Sequence, residues 1–148
     1  MTAITIEAAS AEDASSIHKL IISLAKYEKA ENEVQTTPEQ LRSDFVNQAY
    51  ECLLAKQEGK AIGMALFYPT YSTWKGKQLY LEDLIVLPEY RNQKVGQRLF
   101  DQLKKIAIER SCTALKWQVL DWNHDAVRFY ERNDADFDKG WWNVRVSF

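Results

Sequence analysis

Two cysteines in 148 residues, Cys52 and Cys112, stand too far apart to make a metal-binding pattern. They read as free thiols packed like small hydrophobes. No apolar run approaches the ~18 residues of a membrane span. The N-terminus lacks a basic segment followed by an apolar one, so no signal peptide is expected. Together these features point to a reducing cytoplasm and away from a membrane. Nor is there an excess of positive charge. The net charge of −2 argues against general nucleic-acid binding, which favours a basic domain. There is no internal repeat, low-complexity tract or linker. The two histidines sit apart, with His18 on the solvent side of a helix, so neither a Ser/His/Asp nor a Cys/His arrangement is present. No metal cluster is expected.

What the chain has suits one globular domain over residues 1–148, with a hydrophobic content of 46% and a charged content of 27%. Five tryptophans, seven tyrosines and six phenylalanines exceed what a small core demands, which leaves some for a binding surface. Residues 3–8 suit a first strand. Ser10-Ala-Glu-Asp13 resembles a capping box, and Ile17, Leu20, Ile21 and Leu24 then follow at helical spacing to about Tyr27. Thr37-Pro38-Glu39-Gln40 starts a second, short helix. Residues 51–57 and 60–68 read as strands joined by Glu58-Gly59, residues 69–76 as a loop, and 77–86 as a strand stopped by Pro88. A helix spans about Val95 to Arg110. Residues 113–119 alternate as a half-buried strand, Asn123 caps a helix to about Arg132, and Trp142, Val144, Val146 and Phe148 alternate in a last strand.

The order β α α β β β α β α β describes a mixed α/β sheet, with antiparallel hairpins first and a β-α-β crossover after them. Its most informative stretch is Tyr80 to Leu99. A strand, a proline stop, a basic glycine-bearing turn and a helix aim backbone amides and a helix N-terminus at one point, which makes an anion site. Amides from about Gln93 to Gln97 would hold a pyrophosphate, and Gly96 permits close approach. Arg91, Lys94 and Arg98 add positive charge. Glu82 and Asp83 lead into this turn on the preceding strand. Strict alternation sends them to opposite faces, one to solvent and one to a hydrogen bond. Acid beside a phosphate cradle implies a phosphate-bearing cofactor and a cationic partner. Tyr130, by spacing alone, reads as core with Ala126 and Phe129.

The segment Arg91-Asn92-Gln93-Lys94-Val95-Gly96, in this element order, resembles the signature Arg/Gln-x-x-Gly-x-Gly/Ala of the GCN5-related N-acetyltransferase (GNAT) superfamily. Lys94 stands where the first glycine is usual; it still donates its N–H to phosphate if its φ is negative. Leu24-Ala-Lys-Tyr-Glu28, Tyr80-Leu-Glu-Asp83, Trp122 to Glu131 and Gly140-Trp141 are most similar to the diamine (spermidine/spermine) branch. The resemblance implies an N-acetyltransferase that uses acetyl-CoA and no metal. Leu84, Ile85 and Val86 would meet the pantetheine arm. Arg91 to Gln97, with Asn123, Ala126 and Tyr130, would bind the cofactor. Tyr130 would be the general acid: a phenol near pKa ~10 protonates a thiolate near ~8.5 with little loss. Glu82 would contact the amine or relay its proton, and Tyr27 and Glu28 would line the substrate site. Lys139 replaces a glutamate of that branch, which leaves a shorter diamine, a thialysine-like amino acid or another amine open. The resemblance also implies a homodimer paired through C-terminal strands, with Trp141, Trp142 and Phe148 at the interface. Two alternatives stay open: acetylation of a protein or peptide amine, and a non-catalytic acyl-CoA sensor.

Overall fold

Local chemistry starts each element of the chain, and sheet register then decides what the elements present. The computed structural model describes residues 2–148. They fall into two units, one ending at Trp117 and one running Gln118–Phe148.

In the first unit, β1 (Ile4–Ala8) is followed by a cap in which Ser10 N donates to Asp13 Oδ2 at 2.8 Å. Helix α1 (Ala14–Tyr27) buries Ala14, Ile17, Leu20 and Ala25. It ends with Lys29 in the left-handed region, φ 60, and with Ala30 N donating to Ala25 O at 2.8 Å, which satisfies carbonyls the last turn leaves open. Helix α2 (Pro38–Val46) starts where Thr37 Oγ1 accepts from Gln40 N at 3.2 Å. Its Leu41 carbonyl accepts from the buried Tyr50 hydroxyl at 2.7 Å. Contrary to expectation, His18 does not turn to solvent. Half-buried, its Nε2 lies 2.9 Å from Thr36 O and ties α1 to the segment entering α2.

The sheet runs β1, β2 (Glu51–Gln57), β3 (Lys60–Ser72), β4 (Gly76–Val86), β5 (Leu115–Lys116). Its first three pairings are antiparallel and the last is parallel. Residues 69–72, expected in a loop, extend β3. Past Phe67, β3 no longer pairs with β2, so Pro69 lacks an N–H only where none is needed. Ser72 Oγ then accepts from Trp74 N and Lys75 N at 3.3 and 3.0 Å and closes the tip. The strand expected over 113–119 shrinks to two residues, because β4 meets β5 only at Leu79↔Leu115 and Tyr80↔Lys116.

Helices α1 and α2 share one face of the sheet with Cys52, Leu54, Met64, Leu66 and Ile85. Burial of each such aliphatic side chain contributes roughly 1.5–3 kcal/mol. Helix α3 (Val95–Glu109) packs on β2, β3 and β4 from the other side and buries Val95, Leu99, Phe100, Leu103 and Ala107. Gly63 is required there: an added Cβ would stand 2.8 Å from Ile85 O and 3.4 Å from Leu99 Cδ1. Both cysteines are free thiols, and burial pushes that of Cys52 upward.

The second unit is one helix and irregular chain. Asn123 Oδ1 accepts from Ala126 N at 3.3 Å and starts α4 (His124–Arg132). The last expected strand does not form. Residues 141–148 alternate as a strand should, but a strand exists only in a ladder, and none engages them among the described residues. Trp142, Val144, Val146 and Phe148 are all exposed.

Candidate active site

Strand β4 changes register against β3 at one point. Phe67 faces Leu81 and Leu66 faces Asp83, so Glu82 is an extra residue with no partner opposite. This bulge overturns the expectation that Glu82 and Asp83 point to opposite faces. Asp83 lies opposite Leu66, on the α1 side of the sheet, and lines a cleft with α1 residues. Glu82 lies on that side too. Its Oε1 accepts from the hydroxyl of Tyr68 at 2.8 Å, and Tyr68 is two residues along β3 from Leu66. Tyr68 in turn stacks on its cross-strand partner Tyr80, with centroids 5.5 Å apart and planes at 24°.

The cleft beside Asp83 has a volume of about 210 Å³. Ile21, Leu24 and Val34 supply an apolar lining, and Glu28, Glu33 and Asp83 supply carboxylates. Desolvation raises the pKa of Glu28 above its ordinary value. Asp83 is pushed up to about 7, first by burial and then by the charges of Glu82 and Glu28. Carboxylates crowded this closely favour a cation among them. Burial, and then the bond to Glu82, pushes the Tyr68 hydroxyl upward, so it remains a donor. A larger cleft of about 520 Å³, between the β3–β4 strand ends and the end of α3, mixes Lys77, Glu109 and Arg110. Its arginine is already held by Glu51 at 2.6 and 2.8 Å, so no charge of one sign dominates there.

Tyr27 ends α1 and Glu28 caps it. The guanidinium of Arg91 lies 5.0 Å from the Tyr27 ring centroid, and its Nε donates to Val86 O at 3.2 Å. Arg91 therefore does not reach into the anion turn as a loose cation. It fastens the start of that turn to the end of β4 and to Tyr27.

Beyond Pro88 the turn carries two left-handed residues, Asn92 at φ 64 and Lys94 at φ 62. The φ of Lys94 is positive, so the condition set above for donation of its own N–H to phosphate is not met. The residue adopts the conformation that glycine adopts without strain, at a cost on the order of 1 kcal/mol. Lys94 caps α3, whose first internal bond is Arg98 N to Lys94 O at 3.0 Å. Helix geometry gives the amides before Arg98 no carbonyl four residues back. Asn92, Gln93, Lys94 and Arg98 are exposed, whereas Val95 is buried and anchors the turn. Gly96 is held there by neither φ nor packing. An added Cβ would find Val86 Cγ2 at 3.7 Å as its nearest neighbour, an ordinary contact.

From Leu81 to Val86, β4 has no strand partner on its β5 side among the described residues. Leu84, Ile85 and Val86 lie on this open edge, with Ile85 buried. Asn123, Ala126 and Tyr130 belong to α4 of the second unit, where Asn123 is the cap, Ala126 its partner and Tyr130 is buried. Sequence reasoning missed Tyr68 and Glu33, and it gave Asp83 no role. A tyrosine closing an apolar strand run, directly before Pro69, was the available signal for Tyr68.

The mixed sheet, its open fourth strand and the turn that follows fit the class that comparison with known proteins establishes, an N-acetyltransferase. The chain belongs to the Acetyltransferase (GNAT) family, which it matches over residues 17–134. It is 36% identical over 154 aligned residues to thialysine N-epsilon-acetyltransferase of Bos taurus, covering 95% of this chain and 91% of that protein. The corresponding Caenorhabditis elegans enzyme is 34% identical over 139 residues, covering 92% and 87%. Spermidine/spermine N(1)-acetyltransferase-like protein 1 of Homo sapiens is 32% identical, covering 96% of this chain and 22% of that protein. Among solved structures, ribosomal-protein-alanine N-acetyltransferase from Brucella melitensis superposes with a TM-score of 0.81 at 23% identity, covering 98% and 100%. An aminoglycoside N-acetyltransferase in complex with CoA gives 0.80 at 14%, covering 99% and 96%. These last two likenesses concern the fold.

Proposed function

We propose that this enzyme acetylates a primary amine of a small cationic substrate, a diamine, polyamine or thialysine-like amino acid, with acetyl-CoA as donor. The carrying observation is the β4 bulge, which gathers Glu82 and Asp83 on one face of the sheet beside Glu28. The names of the thialysine and spermidine/spermine relatives support the same substrate class.

The residues present fit coenzyme A. A glycine that neither φ nor packing demands stands in the first turn of α3, and one edge of β4 is open. In this reading the amides of Asn92 to Gln97 hold the pyrophosphate. The open edge at Leu84 to Val86 would meet the amides of the pantetheine arm, and one N–H there would polarise the acyl carbonyl. Asn123 and Ala126 complete the cofactor contacts. When bound, acetyl-CoA supplies the activated acetyl group. Glu82 and Glu28 hold the substrate ammonium near Tyr27. A protonated amine is no nucleophile, and Asp83, ionising near 7, is a better acceptor for its proton than an ordinary carboxylate. Tyr130 carries on its hydroxyl the proton that the departing thiolate takes.

The family match runs across both units, which supports reading the chain as one acetyltransferase domain. The exposed alternating residues 142–148 support a homodimer, and two free thiols suit a reducing cytoplasm. Assay of purified protein with acetyl-CoA against putrescine, spermidine, thialysine and short peptides tests the proposal. Turnover is expected on at least one of the small amines and not on peptides. Turnover confined to peptides refutes the substrate class, and acetyl-CoA binding without turnover on any amine makes the chain a sensor.

A further inference from the structure

We infer that Tyr68 is a positioning residue for the amine, acting through Glu82; the inference rests on the reading above, in which Glu82 holds the substrate ammonium. Glu82 has little else to fix it. It sits on the extra residue of a bulge, without a cross-strand partner, and its side chain is exposed. A free glutamate in such a place spreads over many rotamers, and ordering it opposes binding by a substantial part of its side-chain entropy. Tyr68 removes that freedom before the substrate arrives. Its hydroxyl donates to Oε1 at 2.8 Å, which leaves Oε2 to accept from an ammonium.

Tyr68 is itself held from two directions. Its ring stacks on Tyr80, the residue opposite it in the ladder. Pro69 follows it and restricts its backbone to the extended region. The Tyr68 ring thus has one place to be, and its hydroxyl transmits that place to the carboxylate. The bulge and the tyrosine act as a pair. The bulge brings Glu82 onto the α1 side of the sheet, where Asp83 repels it, and Tyr68 keeps it there against that repulsion. Without the hydroxyl, Glu82 is free to swing toward water and leave the amine site one charge short.

The test is a double-mutant cycle of Tyr68→Phe and Glu82→Ala, read by steady-state acetylation of thialysine, spermidine and putrescine. Tyr68→Phe keeps the ring and its stacking. It is expected to raise the amine KM about tenfold and to leave kcat within about twofold, with the CoA Kd and Tm unchanged. In the Glu82→Ala background the same change is expected to alter KM less than twofold. Additive effects in the two backgrounds, or no KM effect of Tyr68→Phe where Glu82→Ala has a large one, overturn the positioning role alone. A Glu82→Ala enzyme with normal amine KM, or a wild type that turns over none of the three amines, overturns the reading of the site and the positioning role with it.

Discussion

The acidic cleft and the anion turn lie at the two ends of one short path along β4, and in the function proposed here they recognise charge in opposite ways. In the cleft the charge is carried by side chains. Glu28 and Asp83 are desolvated and crowded, so each residue identity counts. In the turn the proposed binding groups are backbone amides, which every residue but proline provides. That explains why the turn tolerates Lys94 where the family signature has glycine, provided the chain still adopts φ 62. The cleft stores an unfavourable arrangement in electrostatics and the turn stores one in a torsion angle, and both sit where a ligand would relieve or exploit them.

The sharpest break in this comparison is Asp83→Asn. It should lower kcat/KM for the amine about 100-fold and leave CoA affinity unchanged, as calorimetry with CoA would show. It should also make the fold more stable. The folded-state pKa of Asp83, about 7, lies above its ordinary 3.8, so the folded protein holds this proton more tightly than the unfolded chain does. The resulting stability is fully present below about pH 4 and is lost as pH rises to 7. Asparagine carries no such penalty. Urea unfolding should find the variant more stable by about 2 kcal/mol at pH 8, within the ~1.4 kcal/mol per pH unit that the shift allows, with the gap closing toward pH 4. Equal stability at pH 8 would mean that Asp83 is not the strained carboxylate of the cleft.

Sequence and structure agree where chemistry is local. Thr37-Pro38, Asn123 and the Pro88-to-Val95 turn each start a helix through neighbours within four residues, so their roles are legible in the chain. What was not legible depends on register between distant residues. The bulge at Glu82 arises from how β4 lies on Leu66 and Phe67, and alternation alone placed Glu82 and Asp83 on opposite faces. Tyr68 entered the site for the same reason, through a partner 14 residues away. The segment 142–148 shows the converse. Its alternation is as good as that of β4, but alternation supplies only one side of a ladder, and among the described residues this one lacks the other.

A milder variant separates packing from binding in the turn. Gly96→Ala adds a Cβ with room to spare against Val86, in a helix where alanine is favoured over glycine by about 1 kcal/mol. Tm should therefore hold or rise. CoA affinity should fall about tenfold, because the methyl group occupies the approach to the amides. A loss of Tm without a loss of affinity would show that the glycine serves the fold.

The smallest effect is expected at Lys94, where side-chain and backbone recognition part company. Lys94→Gly removes a non-glycine residue from the left-handed region and so relieves native strain, but it also frees the unfolded chain, and the two effects oppose each other. The net gain should not exceed about 1 kcal/mol. If amides bind the diphosphate, CoA affinity should change less than threefold, in either direction, at physiological salt. The lysine ammonium is exposed, and its attraction to phosphate is strongly screened there. Lowering the ionic strength should widen the difference between the two proteins if that charge contributes at all. A tenfold loss at physiological salt would instead make the turn resemble the cleft, with a particular side chain rather than the backbone holding the ligand.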